Sequence, residues 1–327
     1  MHRSPDLDGI VGDRYLILDS IGQGAMADVH LAKDQRDRRI VAVKWLVHAR
    51  RQDVVFREKL LQEAELLSHV KHPNVVQLLD YGTAHNGQPY IVLEALTGET
   101  LHEYIARNGG TPAEDALPLM LQLGRALQAV HEAGLIHGDV KPQNVFLCGA
   151  MDRPDTVKLI DFGFAQSCGE NSQADGDTVA GTLEYMAPEQ LLSDPIDARA
   201  DIYSFGVVLF RWLTGELPFV SRATLGLFAH HVNSVAPPPS WLVDELHPGL
   251  ETIVLTCMRK NPSNRYSSMN DVLADLARVF AGHGDDVVGA PLLYSPDEYR
   301  PRSEQAQRAL KILGKAGVHT HAVGDAE

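Results

Sequence analysis

The chain is poor in cysteine, with three in 327 residues, Cys148, Cys168 and Cys257. They are odd in number and lack metal-ligand spacing, so neither a disulfide framework nor a cysteine metal site is expected, and a reducing cytoplasm is the expected setting. Long apolar runs are missing as well. A membrane-spanning helix needs about 18 consecutive apolar residues; the best run here, Phe205 to Phe210, stops at Arg211 and reads as a buried helix. Residues 1–13 are charged and carry no apolar block, which does not resemble a signal peptide. Positive charge is in deficit: 29 Lys and Arg against 43 Asp and Glu leave a net charge of −14. Such a field repels phosphate backbones and argues against nucleic acid as a main partner. Repeats and low-complexity tracts are absent. A hydrophobic content of 44% is nevertheless enough to bury a substantial core.

The most informative stretch is His137-Gly138-Asp139-Val140-Lys141-Pro142-Gln143-Asn144, followed by Asp161-Phe162-Gly163. Phosphoryl transfer from ATP asks little covalent chemistry of a protein. It needs a carboxylate to take the hydroxyl proton, cations to hold phosphates, and oxygen ligands for magnesium. Asp139 is the candidate base, Lys141 is placed to neutralise the transferred phosphate, and Asn144 with Asp161 offers the hard oxygens that Mg²⁺ prefers.

Upstream, Ile21-Gly22-Gln23-Gly24 lies between apolar runs at Tyr15 to Leu18 and Val29 to Ala32. That pattern reads as strand, glycine turn, strand, in which residues without side chains let the backbone close over phosphates. The β-branched segment Ile40-Val41-Ala42-Val43-Lys44 follows, a strand ending in a lysine that can reach phosphates. Residues 56–70 repeat Phe56, Leu60, Leu61, Ala64, Leu67 and Val70 at helical spacing, with Glu63 and Glu65 among them. Either glutamate could serve Lys44 or face water.

In this order the motifs resemble the eukaryotic-like Ser/Thr protein kinase family in its bacterial branch, over residues 15–280 or so. They are Gly22-x-Gly24 with Val29, Val41-Ala-Val-Lys44, Glu63, His137-x-Asp139 with Lys141 and Asn144, Asp161-Phe-Gly163, Gly181-Thr182, Met186-Ala-Pro-Glu189, Asp201 with Gly206, and Arg265. The resemblance implies an α+β, bilobal protein kinase fold: an N-terminal extension over residues 1–11, a β-rich small lobe with one main helix over 12–96, and a mainly helical large lobe over 97–282. Residues 283–327 would be linker and tail.

The resemblance also assigns roles. ATP would lie between the lobes against Ile21, Gly22, Gly24, Val29 and Ala42, with its adenine along Leu93, Glu94 and Leu96 and Leu93 as the gatekeeper. Lys44 would hold its phosphates and Glu63 would hold Lys44. Asp161 and Asn144 would bind Mg²⁺, or Mn²⁺; Asp139 and Lys141 would act on the acceptor hydroxyl of a protein. Glu189 would pair with Arg265 to brace the activation segment, Asp201 would support the catalytic loop, and Leu67, Leu78, His137 and Phe162 would stack as a spine. Lys141 together with Gly181-Thr182-x-x-Tyr185 follows the Ser/Thr pattern, and Phe164 goes with serine over threonine as acceptor.

The chain departs from the family at two positions. Gly138 stands where most regulated kinases carry an arginine that grips an activation-loop phosphate. Phosphorylation at Thr178 or Ser172 is therefore expected to do little, and Glu170, Asp175 and Asp177 already crowd that segment with like charge. Ala27 at the third glycine position is a small replacement. His-Gly-Asp is also the signature of small-molecule phosphotransferases such as aminoglycoside and choline kinases, but Lys141, Gly181-Thr182, Met186 to Glu189 and Arg265 belong to protein kinases. A pseudokinase scaffold would have lost one of Lys44, Asp139, Asn144 or Asp161.

Many bacterial relatives carry a membrane anchor and an external sensor after the kinase. No such run occurs here, so the signal is expected to arrive another way. In the tail, Ser303 can cap a short helix with Ala306, Leu310 and Leu313 on one face.

Overall fold

A computed structural model of the chain describes residues 9–24, 27–150, 153–167, 183–282 and 287. Ala25, Met26, Cys168, Ser172, Thr178, Gly181, Thr182 and the tail segment around Ser303 to Leu313 lie outside the described residues. The backbone groups into two compact units. One holds the chain up to Glu99 together with Phe146–Ala165; the other holds Thr100–Val145 and the chain from Gln166 onward.

The first unit is built on a six-stranded antiparallel sheet in the order β1-β2-β3-β4-β6-β5. Its strands are β1 (Ile10–Val11), β2 (Tyr15–Gln23), β3 (Ala27–Asp34), β4 (Ile40–Leu46), β5 (Leu78–Thr83) and β6 (Pro89–Glu94). Strand β4 shows how the sequence sets the two faces. Its odd positions Val41, Val43 and Trp45 join Tyr15, Ile17, Ala32, Tyr90 and Val92 in one buried cluster, because side chains alternate across a strand. Leu46 and Ile91 form a second cluster with Leu60 and Ala64 of helix α1 (Val54–Ser68). Each fully buried Val, Leu or Ile side chain among them contributes about 1.5–3 kcal/mol.

Helix α1 starts two residues before the apolar periodicity at Phe56, because the Asp53 side chain accepts from Val55 N–H and satisfies one of the open donors there. It ends at Ser68, two residues before Val70. Strands β7 (Gly98–Thr100), β9 (Val145–Ala150) and β10 (Arg153–Leu159) form a second sheet in the order β10-β9-β7. Asn74 Nδ2 donates to Val157 O at 2.9 Å and so ties β10 to the turn that follows α1.

In the second unit the helices are α2 (Leu101–Asn108), α3 (Ala113–Glu132), α4 (Pro188–Leu191), α5 (Arg199–Thr214), α6 (Thr224–Asn233), α7 (Pro248–Cys257) and α8 (Met269–Phe280). The short strands β8 (Leu135–Ile136) and β11 (Gln166–Ser167) pair antiparallel. Helix α5 contains the apolar run from Phe205 to Phe210 and is the central element; thirteen of its sixteen residues are buried. A helix apolar on all sides must be surrounded, and α3 and α7 both pack on it. Gly206 makes that possible, since a Cβ there would stand 2.6 Å from Cys257 Cβ on α7. Among the described residues no helix is long and apolar enough to cross a membrane.

Candidate active site

Strand β4 and helix α1 together build the first group of functional side chains. Lys44 lies on the even face of β4, the same face that carries Leu46 onto α1. Glu63 follows Leu60 by three residues and precedes Leu67 by four, which puts it on the buried side of the helix, whereas Glu65 is exposed. Lys44 Nζ stands 2.6 and 2.8 Å from the two Glu63 oxygens and 2.9 Å from Asp161 Oδ1. The choice between the two glutamates is thus made by which face of α1 is buried.

Electrostatics hold this group as an ion cluster. Burial alone would favour loss of the Lys44 proton, but Asp161 and Glu63 outweigh it and raise the lysine above its ordinary range. Burial pushes the Glu63 carboxyl up, and Lys44 counters this only in part. Glu63 Oε1 also accepts from Phe162 N–H at 3.3 Å, and Asp161 Oδ1 from Gly163 N–H at 3.2 Å. Asp161 has φ +64°, a conformation that aspartate tolerates better than most side chains. Its side chain is 43% exposed, the most open carboxylate of the cluster.

Several of the nucleotide-binding candidates fall on the Lys44 face of the sheet. Val29 pairs with Lys44 across β3 and β4, and Gly22 pairs with Val29. Ala42 precedes Lys44 by two residues and pairs with Leu93 on β6. Side chains paired directly across strands share a face, so Val29, Ala42, Lys44 and Leu93 line one surface. Leu93 also packs against the α1 cluster. Gly24 N–H donates to Ala27 O at 3.0 Å and closes the hairpin. Ile21 is half exposed and Leu96 half buried. The Glu94 carboxylate is already engaged, 2.6 Å from Lys158 Nζ and 2.8 Å from Gln77 N, and its N–H donates to Gln77 O at 3.0 Å.

The second group stands on the loop between β8 and β9. Asp139 is 4% exposed. Lys141 Nζ lies 2.7 Å from its Oδ2, and Asn144 Nδ2 donates to its backbone O at 2.8 Å and to Oδ2 at 3.0 Å. Asn144 is placed by a 3-10 turn, Pro142–Asn144, opened by a proline whose fixed φ suits that position. Beneath the loop Asp201 accepts from His137 N–H and Gly138 N–H, both at 2.8 Å. Burial works against its charge, yet hydrogen bonding to His131 and the loop amides keeps the carboxyl below its usual range.

Arg265 is the brace of this unit. Its Nη1 and Nη2 meet Glu189 Oε1 and Oε2 at 2.6 and 2.8 Å, and its remaining donors reach the carbonyls of Arg259, Arg199 and Lys260. Thr178 and Thr182, the other activation-segment candidates, lie outside the described residues.

Two participants carried no signal in the sequence. His131, in the last turn of α3, places Nε2 2.8 Å from Asp201 Oδ2. Lys158 on β10 neutralises Glu94. Both act through contacts made by residues more than sixty positions away, which no local pattern encodes.

Comparison with known proteins identifies the family. The family described as "Protein kinase domain" matches residues 15–276. The chain is 37% identical over 276 residues to serine/threonine-protein kinase PknB of Mycobacterium leprae, which covers 83% of this chain and 44% of that protein. It is 36% identical to a probable serine/threonine-protein kinase of Corynebacterium efficiens, over 82% of this chain and 41% of the relative. It is 33% identical to one of Clostridium acetobutylicum, over 85% and 41%. The chain thus spans less than half the length of these curated relatives. With its motifs in order over a matched region of this extent, the chain belongs to the protein kinase family, in its bacterial serine/threonine branch.

Proposed function

We propose that this chain is a serine/threonine protein kinase that transfers the γ-phosphoryl group of ATP to a protein hydroxyl, serine in preference to threonine, and that it works in the cytoplasm. The observation that carries the reading is the buried Asp139, held between Lys141 Nζ at 2.7 Å and Asn144 Nδ2 at 3.0 Å. A carboxylate so fixed is oriented for a hydroxyl before substrate arrives, and positioning is what phosphoryl transfer requires of a protein.

In the proposed reaction the acceptor oxygen forms a bond to the γ-phosphorus in line with the bond that breaks, the one between that phosphorus and the β–γ bridging oxygen. ADP leaves with the bonding electrons, and the hydroxyl proton passes to Asp139. Lys141 stabilises the charge developing on the transferred group. Lys44, fixed by Glu63, orients the α and β phosphates, while Gly22, Gly24, Val29, Ala42, Leu93 and Leu96 with the Glu94 carbonyl receive the nucleotide.

The donor set supports a magnesium or manganese site. Asn144 offers an amide oxygen and Asp161 an open carboxylate, hard ligands that suit a cation carried in with phosphates better than one held by protein alone. Among the described residues no group of three or more His, Cys, Asp and Glu could cage an ion unaided. When bound, the cation would neutralise phosphate oxygens and the leaving ADP.

The test is incubation of wild type and Asp139→Asn with γ-labelled ATP and a Ser/Thr peptide library. Label on serine and threonine with wild type, reduced roughly 10²–10⁴-fold in the variant, supports the reading. Equal labelling by both proteins would sink it.

A further inference from the structure

The residue just before the proposed base, Gly138, is held through both its N–H and its C=O by side chains from different elements. Gly138 N–H donates to Asp201 Oδ1 at 2.8 Å, and Gly138 O accepts from Gln190 Nε2 at 2.9 Å. Gly138 has φ +75°, which glycine adopts without strain. With its backbone conformation open to glycine's wide choice, something outside the loop must select the one that aims Asp139. The Asp201 carboxylate fixes the amide; Gln190 fixes the carbonyl.

Gln190 has a second bond. Its Oε1 accepts from Ala187 N–H at 3.0 Å. Gln190 is the third residue of α4 and Ala187 precedes that helix, so this bond is one half of a capping box. Alanine has no oxygen to return the other half, and helix capping uses only the carbonyl end of the Gln190 amide. The NH₂ end is directed to the catalytic loop instead. One neutral amide therefore joins the end of the activation segment, at Ala187, to the residue beside the base.

We infer that Gln190 is a positioning residue for catalysis: it couples the Met186-Ala-Pro-Glu189 segment to the orientation of Asp139 without a phosphate or an arginine. The inference rests on the reading of Asp139 as the base. The amide supplies geometrically what a charged grip would supply electrostatically, a fixed distance between activation segment and catalytic loop. A displacement on the order of 1 Å at a reacting group can cost about 10²-fold in rate, so a single bond at this place carries weight.

Gln190→Leu and Gln190→Glu separate the roles of the two ends of the amide. Leucine removes both bonds. Glutamate keeps the acceptor for Ala187 N–H but, when ionised, sets a carboxylate against Gly138 O; once protonated it can donate there again. Kinetics of peptide phosphorylation, run beside wild type and Asp139→Asn, give the readout. In Gln190→Leu, kcat is expected to fall about 10- to 100-fold with KM for ATP unchanged, since Lys44 and its sheet face are built without Gln190. In Gln190→Glu, kcat relative to wild type is expected to recover as pH is lowered through the titration of the introduced carboxyl, a profile that a merely structural defect would not produce. A Gln190→Leu enzyme with wild-type kcat, or a Gln190→Glu enzyme that follows the wild-type pH profile, would overturn the inference. Activity in Asp139→Asn equal to wild type would instead overturn the assignment of the base, so the two failures are distinguishable.

Discussion

Glu189 and Arg265, 76 residues apart in the chain, meet in a bidentate pair in which the arginine side chain has no exposure at all. All five donors of the guanidinium are used, two on the carboxylate and the rest on the carbonyls of Arg259, Arg199 and Lys260. Planar geometry of this kind is particular to arginine.

Removing one partner leaves a buried charge without compensation, which costs about 3–5 kcal/mol. Glu189→Ala and Arg265→Ala are therefore expected to lower the urea unfolding free energy by that amount. Arg265→Lys should recover only part of it, because an ammonium offers three donors in place of a fork. A loss below about 1 kcal/mol, the worth of an exposed pair, would show that the brace is dispensable.

Lys44 gives a similar test in the other unit, with activity as a second readout. Lys44→Met should depress kcat/KM by roughly 10²-fold or more through lost orientation of phosphates. It should also destabilise the protein by about 3 kcal/mol, since Glu63 would keep its burial and lose its cation. Adding Glu63→Gln to Lys44→Met is expected to restore much of the stability and none of the activity. A double-mutant cycle measured by denaturation and by peptide phosphorylation checks both. Strict additivity of the two stability losses would refute the coupling.

Acid sensitivity should centre on His231 of α6. The imidazole is fully buried, with Nδ1 2.9 Å from the Tyr203 hydroxyl and Lys260, His230 and the ring of Phe219 around it. Burial first, then the nearby Lys260 and His230, lower its pKa to about 3. Because the folded value lies below the unfolded one, near 6.5, the unfolded chain takes up a proton that the native state refuses. Stability from this site is complete above about pH 6.5 and falls as pH drops toward 3, by about 1.4 kcal/mol per pH unit within that window. His231→Phe should flatten that part of the profile in urea titrations from pH 7 to acid; an unchanged slope would place the sensitivity elsewhere.

The glycine at position 138 bears on regulation. The double variant Ser172→Ala, Thr178→Ala is expected to keep peptide phosphorylation within about threefold of wild type, since no arginine in the catalytic loop awaits a phosphate there. Collapse of activity in that variant, with the fold intact by circular dichroism, would mean that another cation reads the segment.

Much of this protein was determined by sequence alone, wherever function rests on a short run of residues. The segment from His137 to Asn144 places the proposed base, cation and metal ligand within eight positions, so one loop conformation would deliver all three. The alternation in Ile40 to Leu46 assigns Lys44 its face of the sheet before any partner is known, because strand geometry has a period of two. Other features waited for tertiary structure. Helical periodicity alone left Glu63 and Glu65 both open, the family resemblance named Glu63, and the seating of α1 on Leu46 and Ile91 gives the physical reason. His131 beneath Asp201, Lys158 on Glu94 and the second hydrogen bond of Gln190 had no local pattern to announce them. Each is a side chain whose partner is remote in sequence, and such a pairing is fixed by how elements pack, since burial leaves a polar group no water and obliges it to find whatever the fold has brought near.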